Sequence, residues 1–424
     1  MGTHASKMST PSNFGSSKLE TLPPEILEMI LKHCLLPFPS LPDTLEQEQK
    51  LNYGRAIKTS RKFPSCIMIS KHIYQIGESL LYHHLTFPTQ AKYQTIINKL
   101  RANPQLGKKV RTLNTRPLQR GMSSAELKEI VELMPFLQGM NIMLQTFKDC
   151  TYDLSSLGRL TSFECGWFID VRGKEFPPID PELVLPAGVT KYGLRNVRMI
   201  SFAALEKHLA QLPRLRELEI CLRNDRGDLI KRIPASAKLS VLSLSKHPNV
   251  LVDKLVETLL THSAFTHLVV LNCDGIWNSA RDEKDLTQLL SHLPSTVRFL
   301  NLRGSYLTQA HVPHLRRVCS QLEELRLGNP MKELFAEPPV EYPDMLRLSD
   351  VEEIVLAEKP KILRMLDISG ICLEEQLKLQ ESRLLSLESL PLEVILLEQA
   401  HEAIGWELIQ GSGRLWMVRK PLGC

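Results

Sequence analysis

The chain has 424 residues, 43% hydrophobic and 23% charged, with a formal net charge of +5. That is enough apolar material for two or three ordinary domains or one repeat array, and it reads as soluble and globular. No apolar run approaches the roughly 20 residues of a membrane span, so no membrane partner is expected. Charge is uneven: residues 1–120 hold 17 Lys/Arg and 7 Asp/Glu, against 35 and 40 in the remainder. A basic head favours an acidic partner. The sequence lacks a long Lys/Arg run and aromatics interleaved with basic residues, so no nucleic acid is expected. The nine cysteines are scattered and odd in number, with no C-x-x-C. That pattern points to reduced thiols in the cytoplasm or nucleus, and away from zinc or a disulfide framework.

Residues 1–17 are rich in Ser, Thr and Gly and lack an apolar h-region, so they read as a disordered tail and not a signal peptide. Leu22-Pro23-Pro24-Glu25-Ile26-Leu27-Glu28-Met29-Ile30-Leu31 then predicts a short helix. Leu22, Ile26 and Ile30 share one face, with Leu27 and Leu31 on its flank. Pro23 and Pro24 suit a first helical turn, and Glu25 suits the positive end of the dipole. Such a helix either completes a small core or docks in a partner's groove. A polar, Pro-flanked stretch at about 37–65 reads as an insertion. Apolar text resumes at Cys66-Ile67-Met68-Ile69-Ser70-Lys71-His72-Ile73-Tyr74 and at Leu80–Phe87. Residues 18–87 are therefore expected to form a helical unit, small for an independent core.

These residues resemble the F-box family. Leu22-Pro23-x-Glu25-Ile26-Leu27-x-x-Ile30-Leu31 is similar to the F-box opening, and Ile69-Ser70-Lys71-x-x-Tyr74 to its second helix. Leu80-Leu81-Tyr82-x-x-Leu85 and Asn103-Pro104-x-Leu106-Gly107-x-x-Val110-Arg111-x-Leu113 resemble the segments that follow in many fungal F-box proteins. The interruption between Leu36 and Cys66 is longer than the compact family pattern.

From Val110 a template L-x-x-L-x-L recurs ten times, beginning at 110, 137, 160, 189, 215, 239, 268, 297, 322 and 363. All but the last spacing lie between 23 and 29 residues, the period of leucine-rich repeats. Helical patterns intervene at Ser123–Leu133, Phe202–Leu212, Asp253–Leu260, Asp285–Leu293 and Ala310–Val318. A strand plus a helix per repeat cannot bury its apolar side alone, so stacking into a curved solenoid over 88–385 is expected. The last spacing, 41 residues rich in proline, reads as an insertion at about 328–360. Cys165 and Cys273 fall on the inward third template position, as small core residues.

A C-terminal cap over 386–424 is expected from a helix at Leu390–Ile404 and a hairpin. Trp406–Gln410 and Arg414–Arg419 alternate about the turn Gly411-Ser412-Gly413. This ending is also similar to fungal F-box tails. The expected fold class is thus α/β: a helical F-box followed by a degenerate leucine-rich repeat solenoid with a helix-hairpin cap.

The sequence contains no nucleotide fingerprint, G-x-S-x-G or H-E-x-x-H, and no cofactor is expected. His83-His84 are adjacent and do not share a helix face. His311 and His314 are three apart on a helix and read as a surface pair, with no third metal ligand nearby. The family resemblance implies a non-enzymatic receptor in which the F-box holds a Skp-type adaptor, and through it a cullin, while the repeats bind a protein substrate for ubiquitination. The implied docking residues are Leu22, Pro23, Ile26, Leu27, Ile30, Leu31, Ile67, Ile69 and Tyr74. Substrate contact is expected on strand residues facing away from the core: Glu217, Glu219, Ser243, Asn272, Asp274, Phe299, Asn301, Arg303, Arg326, Met365 and Asp367. A repeat scaffold that binds partners without a ubiquitin-ligase role is the alternative.

Overall fold

The computed structural model describes residues 22–23, 26–27, 82–118, 120–145, 151–168, 182–195, 202–222, 230–246, 255–328, 345–357, 362–371, 376, 378–385, 391–397, 406–410 and 415–419. The expected tail, the 37–65 insertion and the docking candidates Ile30, Leu31, Ile67, Ile69 and Tyr74 lie outside them.

In chain order the elements are β1 (His84–Thr86), α1 (Gln90–Ala102), α2 (Pro104–Gly107), β2 (Thr112–Asn114), α3 (Ser124–Leu133), β3 (Gly139–Gln145), β4 (Thr151–Asp153), β5 (Ser162–Phe168), β6 (Glu182–Val184) and β7 (Lys191–Arg195). There follow α4 (Phe202–Ala210), β8 (Glu217–Leu222), β9 (Val241–Lys246), α5 (Leu255–Thr261), β10 (Val270–Asn272), α6 (Glu283–His292), β11 (Phe299–Asn301), α7 (Val312–Cys319) and β12 (Glu324–Gly328). The chain ends with α8 (Leu348–Ala357), β13 (Met365–Gly370), β14 (Val394–Leu397), β15 (Trp406–Gln410) and β16 (Leu415–Arg419).

Fourteen strands form one sheet in the order β1-β2-β3-β5-β7-β8-β9-β10-β11-β12-β13-β14-β16-β15. Each strand as far as β14 pairs in parallel with the one before it in the sheet. Parallel neighbours need a crossover of a dozen or more residues, and a spacing of 23–29 supplies a short strand and one return. The fold is α/β, with a large, mostly parallel, open sheet.

The pairing register is the template's register. Leu113, Met140, Phe163, Tyr192, Leu218, Leu242, Leu271, Leu300, Leu325 and Leu366 each sit opposite the next. All ten are buried and belong to one core cluster with Leu127, Leu205, Leu289, Leu315 and Ile354 of the returning helices. A strand shows alternate residues to opposite faces, so one face of the sheet is core and the other carries the intervening residues. Fully burying each leucine stabilises by about 2 kcal/mol. The crossovers are capped locally: Ser123 Oγ accepts from the Glu126 N–H at 3.3 Å, while Glu126 Oε2 accepts from the Ser123 N–H at 3.0 Å.

Several expectations are corrected. His84–Thr86, placed with the helical unit, is the first strand of the sheet and pairs with β2. The returns after β3 and β5 carry the short strands β4 and β6 where helices were expected, and these two pair in parallel. Tyr152 sits between the polar Thr151 and Asp153, and Pro181 and Pro186 flank β6, which disfavours helix there. The proline-rich gap before β13 contains α8, whose Val351, Ile354 and Val355 are buried. Val394–Leu397, expected within a C-terminal helix, is β14. That apolar run follows Pro391 and extends the parallel sheet, where burial overrides helical spacing. The hairpin is present: β15 pairs with β16, and β16 pairs antiparallel with β14.

Candidate functional site

The outward face is built from two registers. One runs Lys191, Glu217, Val241, Val270, Phe299, Glu324, Met365. The other runs Asn141, Glu164, Gly193, Glu219, Ser243, Asn272, Asn301, Arg326, Asp367. Nine of the eleven sequence-expected substrate residues therefore lie side by side on these registers, whereas Asp274 and Arg303 follow β10 and β11 and lie outside them.

The face divides into two parts. Across β7–β10 lies a shallow, open depression. Lys191, Glu217, Glu219, Ser243 and Asn272 supply its polar groups, and Val241 and Val270 its apolar floor. Lys191 Nζ lies 3.4 Å from Glu164 Oε1, and Asn141 Nδ2 donates to Glu164 Oε2 at 2.7 Å. Asn272 Nδ2 donates to Ser243 Oγ at 2.9 Å, and Asn301 Nδ2 donates to Asn272 Oδ1 at 2.8 Å, so the amides form a cross-strand ladder. Asp274 is exposed, and Phe299 and Arg303 are half-buried.

Across β11–β13 the same registers are buried. Asn301, Arg326 and Met365 are 6%, 3% and 7% exposed, and Asp367 is fully buried. These four are corrected from surface contacts to interior residues. Arg326 Nε donates to Glu324 Oε1 at 2.5 Å, and its Nη2 has no hydrogen-bond partner among the described residues. Burial raises the Glu324 carboxyl above its usual range, with the Arg326 charge pulling the other way. Asp367 Oδ1 accepts from the Ser369 N–H at 3.0 Å and from Ser369 Oγ at 2.6 Å. Glycines let the following loops approach closely: a Cβ on Gly328 would lie 2.8 Å from Gly370 Cα.

Of the docking candidates, Pro23 is exposed and Leu22 half-buried. Ile26 and Leu27 are helical, both N–H groups donating to the Pro23 carbonyl at 3.0 Å. Ile26 is 39% exposed whereas Leu27 is 1% exposed, so Leu27 is corrected to a residue packed within its own chain.

The histidine pair also differs from expectation. His311 is buried: its Nδ1 accepts from the Thr308 N–H at 3.0 Å, and its Nε2 lies 3.2 Å from the Glu283 carbonyl. His314 Nδ1 lies 3.0 Å from Ser291 Oγ. Among the described residues no group of three His, Cys, Asp or Glu is placed to hold a metal. Cys165, Cys273 and Cys319 are buried free thiols whose pKa burial pushes up, Cys319 to about 12. They are held protonated and are poor nucleophiles. No helix among the described residues is long and apolar enough to cross a membrane.

Compared with protein-family models and with curated proteins, the chain matches none. Sequence reasoning missed Glu164, Lys191, Val241 and Val270. Their signal was the same alternation: Lys191, Val241 and Val270 stand just before the second template residue, and Glu164 just after it.

Proposed function

We propose that this chain is the substrate-recognition subunit of an SCF-type cullin–RING ubiquitin ligase. In this reading the head is an F-box that binds a Skp-type adaptor, and the sheet is the strand layer of a degenerate leucine-rich repeat solenoid that binds a protein substrate. The observation that carries it is the ten-strand register of template residues, which leaves one sheet face covered by returns and the other, across β7–β10, displaying half-exposed polar side chains. A row of carboxylates, amides and a lysine over an apolar floor suits a protein surface. Pro23 and Ile26, the exposed ones among the described residues of the opening motif, offer a small apolar anchor for the adaptor's groove. The mechanism is proximity: a tethered substrate lysine meets a high effective concentration of the ubiquitin thioester.

Adaptor pull-down by the Leu22→Ala, Pro23→Ala double variant tests the reading. Retention should be lost while the repeat region keeps its thermal melt. Undiminished retention would refute the docking assignment. A scaffold without a ligase role would instead bind adaptor yet recruit no cullin.

A further inference from the structure

Two further registers flank the first template leucine, where the chain turns into each strand. In the later register the residues are linked directly by backbone: the Arg111 carbonyl accepts from Gln138 and Gly139, the Thr190 carbonyl from Arg216 and Glu217, and the Val269 carbonyl from Arg298 and Phe299. From β2 to β11 these two registers carry Lys109, Arg111, Arg159, Arg214, Arg216 and Lys238. Arg298 closes the row, its Nη1 donating to the Gln321 carbonyl at 2.9 Å. Neither register contains an acidic residue until Glu323.

Arg159, Arg214, Arg216 and Lys238 are exposed, and none of the six forms an ion pair among the described residues. Neighbouring strands lie about 4.8 Å apart, so like charges one or two strands apart fall near or within a Debye length and repel. Arg111 and Arg159 are held over the Phe136 ring at 5.8 and 4.6 Å, which fixes two guanidinium groups in place. The fold gains nothing from lining up uncompensated cations on one edge.

We propose that this edge binds an extended acidic segment of a protein partner. The row spans eight strands, roughly 30 Å, which an extended chain of about ten residues covers. Its two registers flank a single line of template leucines, a width that fits one strand of carboxylates better than a duplex with two phosphate backbones. Phe136 on these registers already carries guanidinium groups and is a poor platform for base stacking, and the exposed ring besides it, His267, stands alone. The edge lacks the row of exposed large apolar side chains that anchors a helix or loop in a bilayer surface. The proposal does not depend on the adaptor reading.

The test uses the full-length chain and a fluorescent decaglutamate peptide, read by polarisation. Binding should appear at about 50 mM salt and weaken toward about 300 mM. The Arg214→Glu, Arg216→Glu, Lys238→Glu variant should lose about tenfold or more in affinity. Arg232→Glu, which alters a cation that is outside both registers and already paired with Glu206, should leave binding unchanged. If the triple variant fails to fold, Arg214→Ala with Lys238→Ala should still weaken binding about threefold. No decaglutamate binding, equal loss in the Arg232 variant, or no loss in the edge variants would overturn the proposal. So would tighter binding of polyuridine or phosphatidylserine vesicles that decaglutamate does not displace. Adaptor retention measured on the same samples should be unaffected by the edge variants, so failure here and failure of the adaptor reading are separable.

Discussion

The outward faces of β7–β10 and β11–β13 share one register, one strand direction and the same kind of side chain, yet they differ in exposure. Glu217, Glu219 and Ser243 border an open depression, whereas Glu324, Arg326 and Asp367 are buried. Position in a repeat therefore decides which way a side chain points but not what it meets. In the first region the charged side chains stay half-exposed. In the second, charge is consumed within the chain, where a lost partner costs far more than at the surface.

The largest expected effect breaks the comparison at its buried side. Arg326→Ala leaves the Glu324 carboxylate buried and uncompensated, and urea unfolding should show a loss of about 3–5 kcal/mol. Glu217→Ala or Glu219→Ala should move stability by no more than about 0.5 kcal/mol. Comparable losses in all three would erase the distinction. The boundary itself is probed at the amide ladder. Asn301→Ala strands the Arg303 N–H, now 3.0 Å from Asn301 Oδ1, and should cost about 1–3 kcal/mol, more than Asn272→Ala in the same assay.

A pH effect of smaller size sharpens the buried side further. His311 accepts a hydrogen bond at Nδ1, so the fold holds the neutral ring, and burial lowers its pKa. A depressed folded pKa means stability is fully present above the unfolded value of about 6.5 and is lost as pH falls through the folded value. Thermal melts should drop between about pH 7.5 and pH 5, and less steeply for His311→Gln. His84, whose pKa burial also lowers, keeps part of the slope. The mildest change concerns the open side: Glu217→Lys with Glu219→Lys should leave the melt intact while reducing capture of a protein substrate.

Much of the sheet was legible because its signal is additive. Leu218, Leu242, Leu271 and Leu300 recur at nearly constant spacing, and burial forces them into one register. The helix expected at Leu390–Ile404 failed at Val394–Leu397 because an apolar run that short fits both periods, and only pairing with β13 decides. β4 and β6 were missed for a related reason: they lie outside the recurring template, and three residues alone carry no period. The outward positions of the site were legible from alternation alone. The burial of Asn301, Arg326, Met365 and Asp367 was not, because what packs over a face is set by segments distant in sequence. The His311 contact with Glu283, 28 residues away, is hidden in the same way.

Co-purification of the full-length chain with a Skp-type adaptor, followed by detection of a cullin among the retained proteins, bears most directly on the receptor reading. Adaptor and cullin recovered together by the wild type, and lost with Leu22→Ala and Pro23→Ala, is the predicted result. A folded chain that retains neither would contradict it and leave the sheet as the frame of a different kind of binding protein.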